Sequence, residues 1–338
     1  MIWTAGICCA ANQPSVSVSI PSLCYHQILP TAKGLYETST ADFRKQLDFL
    51  KSSQFQSINS DDLLIILSGK SGNVKKPILL TFDDGYVSVF TQALPIMREY
   101  GFVGVACIYP EFIGSGGGMS WKQLKQLQEE GWSVECHTMS HADIAKGSID
   151  PKLRDAFFEK EIARSRHIID EHLNHPVKFI VWPYGIYTEA SEAFARSIGY
   201  LGALTVDGGA SFPGLDPFRI KRQVVYRTDT MEKFQIRVEM EGLQLEQPSP
   251  APGTIVSALR EISCTLPALN DYTPEKYVLN VKITGGKATA TFDPATHQIH
   301  AIVSDGNLKS GQHFIDVYLR DNATGLTAQN GWLFTIRR

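Results

Sequence analysis

Short apolar runs alternate with segments of helical periodicity along the first two hundred residues. The apolar runs have the composition of buried strands and lie at 22–25, 78–82, 103–109, 133–136, 177–182 and 200–205. The segments with apolar residues at helical spacing lie between them, at 42–50, 93–100, 120–130, 151–173 and 188–197. This alternation predicts an α/β fold in which helices connect parallel strands.

The pattern changes near residue 245. A Pro-rich segment at 246–254 predicts a stiff, extended linker. Beyond it, apolar and polar residues alternate with period two, without helical spacing, at 277–283, 287–292, 299–303 and 313–319. Residues 255–338 are therefore predicted to form a small antiparallel β-sandwich. The stretch from Gly311 to Asp321, followed by Trp332 to Phe334, resembles bacterial immunoglobulin-like modules.

Composition narrows the function classes. The chain has 338 residues, and 32 Lys and Arg against 35 Asp and Glu give a net charge of −3. This balance argues against a nucleic-acid partner, because nucleic-acid-binding proteins usually present a basic face. No apolar run approaches the roughly 18 residues of a membrane-spanning helix. The six cysteines are scattered and lack the CxxC spacing of a zinc knuckle.

The N-terminal residues 1–19 are predicted to be a partial signal segment or a tail. Met1 to Ala11 is apolar and ends in small residues, like the second half of a secretory signal, but lacks the basic region that precedes it in such signals. We therefore expect export, to a secreted, periplasmic or cell-surface location.

Polar residues follow four of the predicted strands, at the point where each strand ends. They are Asp83 and Asp84 after 78–82, His137 and then His141 after 133–136, His26 after 22–25, and Pro183, Tyr184 and Gly185 after 177–182. In barrels of parallel strands the carboxyl ends meet at one rim, which is where catalytic groups are placed. We expect these side chains to converge there.

Two adjacent carboxylates would repel each other if both were buried and ionised, unless a cation lies beside them or one is protonated. Two histidines four residues apart have a spacing known from zinc sites. Two imidazoles and one carboxylate would leave an open position for water on a divalent metal ion, and the second aspartate would then be free to act as a base.

The segments Thr81-Phe-Asp-Asp-Gly-Tyr86 and His137-Thr-Met-Ser-His141 resemble the first two motifs of the polysaccharide deacetylase family, carbohydrate esterase family 4. The resemblance covers roughly residues 20 to 235, so we assign 20–245 to this domain. It implies a distorted (β/α) barrel that removes N-acetyl groups from amino sugars with a metal-bound water. It further implies that Asp83 is the general base and that Asp84, His137 and His141 bind the metal.

Two other family motifs differ in this sequence. Val181 occupies the place where the third motif usually has an arginine, and no histidine lies between His175 and His297 to supply the usual general acid. The early segment Leu23-Cys-Tyr-His26 resembles the subgroup that contains the poly-β-1,6-N-acetylglucosamine N-deacetylases, which implies that His26 is the acid. A purely structural role for His26 is the alternative.

The same subgroup has a Trp-Pro-Tyr-Gly stretch, which Trp182-Pro183-Tyr184-Gly185 resembles. These residues are expected at the substrate, and the backbone N–H of Tyr184 is a candidate oxyanion donor. The segment Asp216-Pro-Phe-Arg-Ile-Lys-Arg222 is similar to the late basic segment of the subgroup, and Arg222 is the candidate to hold the base in place.

The resulting hypothesis is a metal-dependent N-deacetylase whose partner is an acetylated amino-sugar polysaccharide. Zinc is the first choice of cofactor, with nickel, cobalt or iron as alternatives, since His, His and Asp suit several divalent ions. Three other functions stay open: an O-acetyl polysaccharide esterase of the same fold, a barrel that binds glycan without turnover, and an adhesive surface protein. In each case the β-sandwich could contact glycan or another surface protein.

Overall fold

The computed structural model describes residues 18–70, 74–267, 269, 271–304 and 308–338. Residues 1–17, which belong to the segment predicted as a signal or tail, lie outside these ranges. Within these ranges, no helix combines the length and the apolar character that crossing a membrane requires.

An N-terminal α/β domain is built on a parallel half-barrel sheet, which confirms the predicted fold class. Its strands are β1 Ser22–Tyr25, β2 Gln27–Leu29, β3 Glu37–Ser39, β4 Gln56–Ile58, β5 Pro77–Phe82, β6 Val105–Ile108, β7 Ser133–Cys136, β8 Phe179–Val181, β9 Gly202–Leu204 and β10 Gln223–Val224. The main sheet has the order β10-β1-β5-β6-β7-β8-β9, with β4 also paired to β5, while β2 and β3 form a separate pair. The four strands that precede the predicted site residues, β1, β5, β7 and β8, are therefore all in one sheet.

Helices connect these strands. They are α1 Thr40–Ser52, α2 Ser60–Leu67, α3 Leu94–Tyr100, α4 Trp121–Glu129, α5 Ile144–Gly147, α6 Pro151–Phe158, α7 Ser165–His172, α8 Glu189–Ser197 and α9 Met231–Glu239. A π-helical segment, Glu159–Arg164, joins α6 to α7, so the predicted helix at 151–173 is one continuous run. Ser120 and Thr188 each accept a hydrogen bond from the backbone three residues later, which fixes the starts of α4 and α8.

Ile220 links the two edges of the parallel sheet. Its N–H donates to the carbonyl of Ala203 (3.1 Å), and its own carbonyl accepts from the N–H of Thr205 (2.9 Å). From Ile220 the chain runs directly into β10 at the opposite edge. This connection fits the expected distorted (β/α) barrel, whose fully buried central strands form the core beneath the strand ends.

The C-terminal β domain has two sheets that share one apolar core. Its strands are β11 Glu241–Gly242, β12 Glu246–Ser249, β13 Ile255–Val256, β14 Glu261–Thr265, β15 Tyr277–Ile283, β16 Ala288–Asp293, β17 Gln298–Val303, β18 Gly311–Asp321 and β19 Thr327–Ile336. One sheet has the order β11-β19-β18-β15 with β13 beside β19, and the other has the order β12-β14-β17-β16. The Pro-rich segment predicted as a linker is extended, and its first residues are the strand β12 of this domain.

Candidate active site

The residues that follow β1, β5, β7 and β8 converge on one cavity of about 330 Å³. The cavity is lined by Cys24, His26, Tyr36, Asp83, Asp84, His137, His141, Tyr184, Gly185, Val206, Arg222, Val224, Tyr226 and Phe314. The predicted base, acid and metal ligands therefore share one site, because parallel neighbouring strands end at the same rim.

Asp84, His137 and His141 place three ligand atoms together. Asp84 Oδ1 lies 3.8 Å from His137 Nε2 and 3.4 Å from His141 Nε2, and all three atoms lie within 4.8 Å of one another. Asp84 Oδ1 is buried and has no hydrogen-bond partner. His137 Nδ1 lies 2.8 Å from the carbonyl of Val181, which favours a proton on Nδ1 and leaves the Nε2 lone pair free.

The charges of this trio suit a cation. Burial lowers the pKa of His137 to about 3 and also lowers the pKa of His141, so both imidazoles are neutral at pH 7, the form that binds metals. Burial, with the neighbouring Asp83 charge, raises the pKa of Asp84 to about 7. An unpartnered buried carboxylate oxygen beside two neutral imidazoles fits a divalent metal ion.

Asp83 has a different environment from its neighbour. Its Oδ1 accepts a hydrogen bond from Arg222 Nη1 (2.6 Å), and its Oδ2 accepts one from the Cys24 thiol (3.2 Å). Burial alone would raise the pKa of Asp83, but the charge of Arg222, together with smaller effects of His137, His26 and the Arg222 hydrogen bond, outweighs burial and holds that pKa well below its usual range. Asp83 is therefore an ionised carboxylate next to the candidate ligands Asp84, His137 and His141, called the metal trio below, as a base requires.

The atoms of Cys24, His26 and Asp83 also lie close enough to suggest a second cation site. Burial raises the pKa of the Cys24 thiol well above its usual range, so the sulfur stays protonated. The thiol donates a hydrogen bond to Asp83. Since Arg222 already provides the positive charge at Asp83, this group is better described as a carboxylate with its hydrogen-bond donors.

Backbone strain is concentrated at this site. Four residues in or beside it adopt a left-handed conformation although they are not glycine: Asp84 (φ 74°), Thr138 (64°), His141 (59°) and Tyr184 (59°). Such conformations cost about 1–3 kcal/mol each and persist where the surrounding structure enforces them, typically at functional sites. The strained residues therefore belong to the segments that carry the candidate ligands and Tyr184.

Glu161, in the π-helical segment, holds the loop between the two histidines. The carboxylate is almost fully buried. Its Oε2 accepts from the N–H groups of Met139 (3.2 Å) and Ser140 (3.0 Å), and its Oε1 accepts from the Ser140 hydroxyl (2.9 Å). Neither Glu161 nor the role of Cys24 was predicted, because the sequence gives no local signal for contacts between distant segments.

His26 directly follows β1 and lines the same cavity. Its ring is 4.9 Å from that of Tyr36, and its buried Nδ1 has no hydrogen-bond partner. Burial lowers the pKa of His26 below its usual value, with a smaller opposing effect of Asp83. The residue nevertheless lines the cavity in which a substrate would lie.

Two residues expected at the substrate are not part of the cavity lining. Trp182 is completely buried and Pro183 is buried, and neither lines the cavity. The backbone N–H of Trp182 donates to the carbonyl of Leu204 (3.1 Å), which continues the sheet and turns the indole into the core. Tyr184 does line the cavity; the residue is 60% exposed, and its ring lies 4.6 Å from that of His141.

Comparisons with known proteins relate this chain to polysaccharide deacetylases. A profile of the polysaccharide deacetylase family matches residues 70–203. The poly-β-1,6-N-acetyl-D-glucosamine N-deacetylase of Staphylococcus epidermidis is 23% identical over 198 residues, which are 56% of this chain and 68% of that protein. The matched segments span about two thirds of the length of such curated relatives.

Two solved structures have the same fold. IcaB from Ammonifex degensii superposes with a TM-score of 0.57 and 26% identity, covering 64% of this chain and 94% of that one. The Streptococcus pyogenes deacetylase PplD, solved in complex with acetate, superposes with a TM-score of 0.60 and 23% identity, covering 66% of this chain and 99% of that one.

Proposed function

Because this chain carries a domain of the polysaccharide deacetylase family, we propose that it is a metal-dependent hydrolase that removes N-acetyl groups from an N-acetylglucosamine-containing polysaccharide. One observation carries the proposal: an ionised Asp83, held by Arg222, lies beside three convergent ligand atoms in a cavity that also contains His26. The name of the Staphylococcus epidermidis relative supports an N-acetyl rather than an O-acetyl substrate.

Asp84, His137 and His141 would hold the ion. A bound divalent ion would supply Lewis-acid chemistry, by polarising the acetyl carbonyl and making water more acidic. Two imidazoles and a carboxylate leave room for substrate and water beside it.

Asp83 would accept the proton of the water that attacks the acetyl carbon. The guanidinium of Arg222 keeps the carboxylate ionised and fixes its direction, since both groups are buried. The backbone at Tyr184 would face the oxygen that becomes negatively charged. His26 would donate a proton to the departing nitrogen, because an amine anion is too basic to leave. The products are acetate and a free amino group on the sugar.

An O-acetyl esterase of the same fold is the second candidate. Burial lowers the pKa of His26, which reduces the fraction of its protonated form at neutral pH. An alkoxide leaves more readily than an amine anion, so ester cleavage depends less on a proton donor.

The test is acetate release from matched N-acetylated and O-acetylated glycans. The panel contains poly-β-1,6-N-acetylglucosamine, chitin oligosaccharides and acetylated xylan, each with chelator-treated protein before and after addition of zinc, cobalt, nickel or iron. We expect release from an N-acetylated glycan that depends on added metal. Release from acetylated xylan alone would establish the esterase, and no release with any metal would refute both.

A further inference from the structure

The C-terminal β domain contacts the barrel through closely approaching backbones. The N–H of Gly331 donates to the carbonyl of Gly208 (2.9 Å), and Gly209 pairs with Asn330. A Cβ atom on Gly208 or Gly209 would collide with atoms of Gln329. The interface therefore requires glycine and holds the two domains at a fixed distance.

The interface between the two domains also includes the chain segment that carries Arg222. Lys221, which precedes Arg222, is buried, and its ammonium group donates to the carbonyl of Gly331 (2.5 Å). The charge of Asp207 faces Lys221 from the barrel and that of Asp316 faces it from β18. The β domain is thus attached directly beside the residue that holds the base.

Phe314 of β18 brings this domain to the cavity itself. It is half-buried, packs against the apolar core of the barrel, and lines the same cavity as the metal trio. Its backbone is paired with Leu333 of β19, which is itself part of the barrel core. Since β18 lies between β15 and β19, the ring is mounted on the middle of a sheet.

Three tyrosines share the cavity wall with Phe314. Tyr36 is 49% and Tyr184 60% exposed, and the rings of Tyr36 and Tyr226 are 5.6 Å apart. Aromatic rings offer large apolar faces at low cost in conformational entropy, and such faces suit the apolar C–H faces of sugar rings. Exposed aromatic rings around a polar centre are typical of a ligand groove.

We propose that Phe314 is a substrate-contacting residue and that the β domain forms one wall of a glycan-binding groove shared by both domains. This inference rests on the proposed function and extends it to the substrate: a chain of several sugars, of which one lies at Asp83 and another against Phe314. A ring mounted on a paired strand needs no ordering upon binding. Because Phe314 contacts a second sugar, it favours glycans that are long enough to reach it.

The experiment compares Phe314→Leu, Phe314→Trp and the matched control Phe292→Leu. Phe292 is a half-buried residue of the same domain that packs against Tyr272 and lies outside the cavity lining. The measured quantity is the ratio of kcat/KM for a β-1,6-N-acetylglucosamine pentasaccharide to that for the disaccharide. We expect Phe314→Leu to lower this ratio roughly 3- to 10-fold, from the strength of aromatic contacts. Phe314→Trp should restore most of it, and Phe292→Leu should not change it.

Calorimetric binding of the pentasaccharide to the same variants, with melting temperatures recorded, separates this inference from the proposed function. Binding weakened by Phe314→Leu without acetate release from any wild-type reaction would refute the function and keep the groove. Acetate release with equal losses on both substrates would show that Phe314 is only an interdomain packing residue, and would overturn the inference.

Discussion

The Nη1 atom of Arg222 lies 2.6 Å from Oδ1 of Asp83, and solvent reaches almost none of either side chain. In a buried pair of this kind, each charge depends on the other to offset the loss of hydration. Arg222 therefore offsets the buried charge of Asp83 and keeps this carboxylate, the proposed base, ionised.

Arg222→Met should destabilise the protein by about 3–5 kcal/mol, because it leaves the Asp83 carboxylate buried without its counter-charge. In the wild type, the lowered pKa of Asp83 contributes stability above its usual pKa near 4, and this contribution is lost only in stronger acid. Without Arg222, burial raises that pKa, so the acid limb of the pH–rate profile should move toward neutrality. Denaturant unfolding and pH–rate profiles measure the two effects.

Arg44 provides the comparison, since it pairs with Glu99 at the surface. Exposed ion pairs contribute little, so Arg44→Met should unfold at nearly the wild-type denaturant concentration. Equal destabilisation by both changes would contradict the importance of burial at Arg222.

Asp83→Asn should abolish most turnover while metal binding is retained. Asp83 donates no atom to the convergent trio, so the amide removes the base and leaves the ligands in place. A general base contributes on the order of 10²- to 10⁴-fold to the rate. Acetate release and metal content after dialysis check both parts, with Asp84→Asn as the variant that should lose metal. Wild-type rates in Asp83→Asn would overturn its assignment as the base.

Metal affinity should fall with pH below neutrality. Burial and the Asp83 charge raise the pKa of Asp84 to about 7, so in the metal-free protein this ligand gains a proton as the pH drops through that value. The proton must leave when a cation binds, which weakens affinity about tenfold per pH unit below 7. His137, with a pKa near 3, adds no proton to this range.

Competition with a fluorescent zinc chelator between about pH 5.5 and 8 would measure this dependence. One proton should be released per ion at the acid end and almost none from Asp84 at the alkaline end. Two protons per ion at pH 6 would show that a histidine is also protonated there, contrary to the lowered pKa of both imidazoles.

Glu161→Ala should weaken metal binding, although Glu161 is not one of the three candidate ligands. The carboxylate accepts three hydrogen bonds from Met139 and Ser140, which lie between the two histidines proposed as metal ligands. Residues that orient metal ligands typically account for 10- to 100-fold in affinity. Glu159→Ala, an exposed change in the same π-helical segment, is the control. Equal zinc affinity in both variants would mean that the strained loop holds its shape without Glu161.

The sequence predicted the parts of the site that short spacings determine. Asp83 and Asp84 are adjacent, His137 and His141 are four residues apart, and each pair directly follows a buried strand. The ends of parallel strands then bring the two pairs together. The helix starts at Ser120 and Thr188 could also be predicted from the sequence, because a helix cap is formed within four residues.

Contacts between distant segments could not be derived in this way. Arg222 is 139 residues from Asp83, and only the family resemblance pointed to it. The burial of Trp182 in the core could not be predicted, because β8 is buried on both faces and alternation does not tell which side chains reach the rim. Phe314 belongs to a period-two strand in a separate domain, and only the packing of the two domains places it at the cavity.

His26→Ala should reduce the hydrolysis of amides more than that of esters. An amine leaves only with a proton, whereas an alkoxide leaves with less help, so a proton donor matters more for the N-acetyl substrate. On an N-acetylglucosamine oligosaccharide we expect a loss on the order of 10²-fold or more, and a clearly smaller loss on 4-nitrophenyl acetate. His172→Ala, which changes a histidine stacked on Trp121 away from the cavity, is the matched control. Equal losses on both substrates would instead indicate that His26 supports the cavity wall beside Tyr36, because a structural defect does not distinguish between leaving groups.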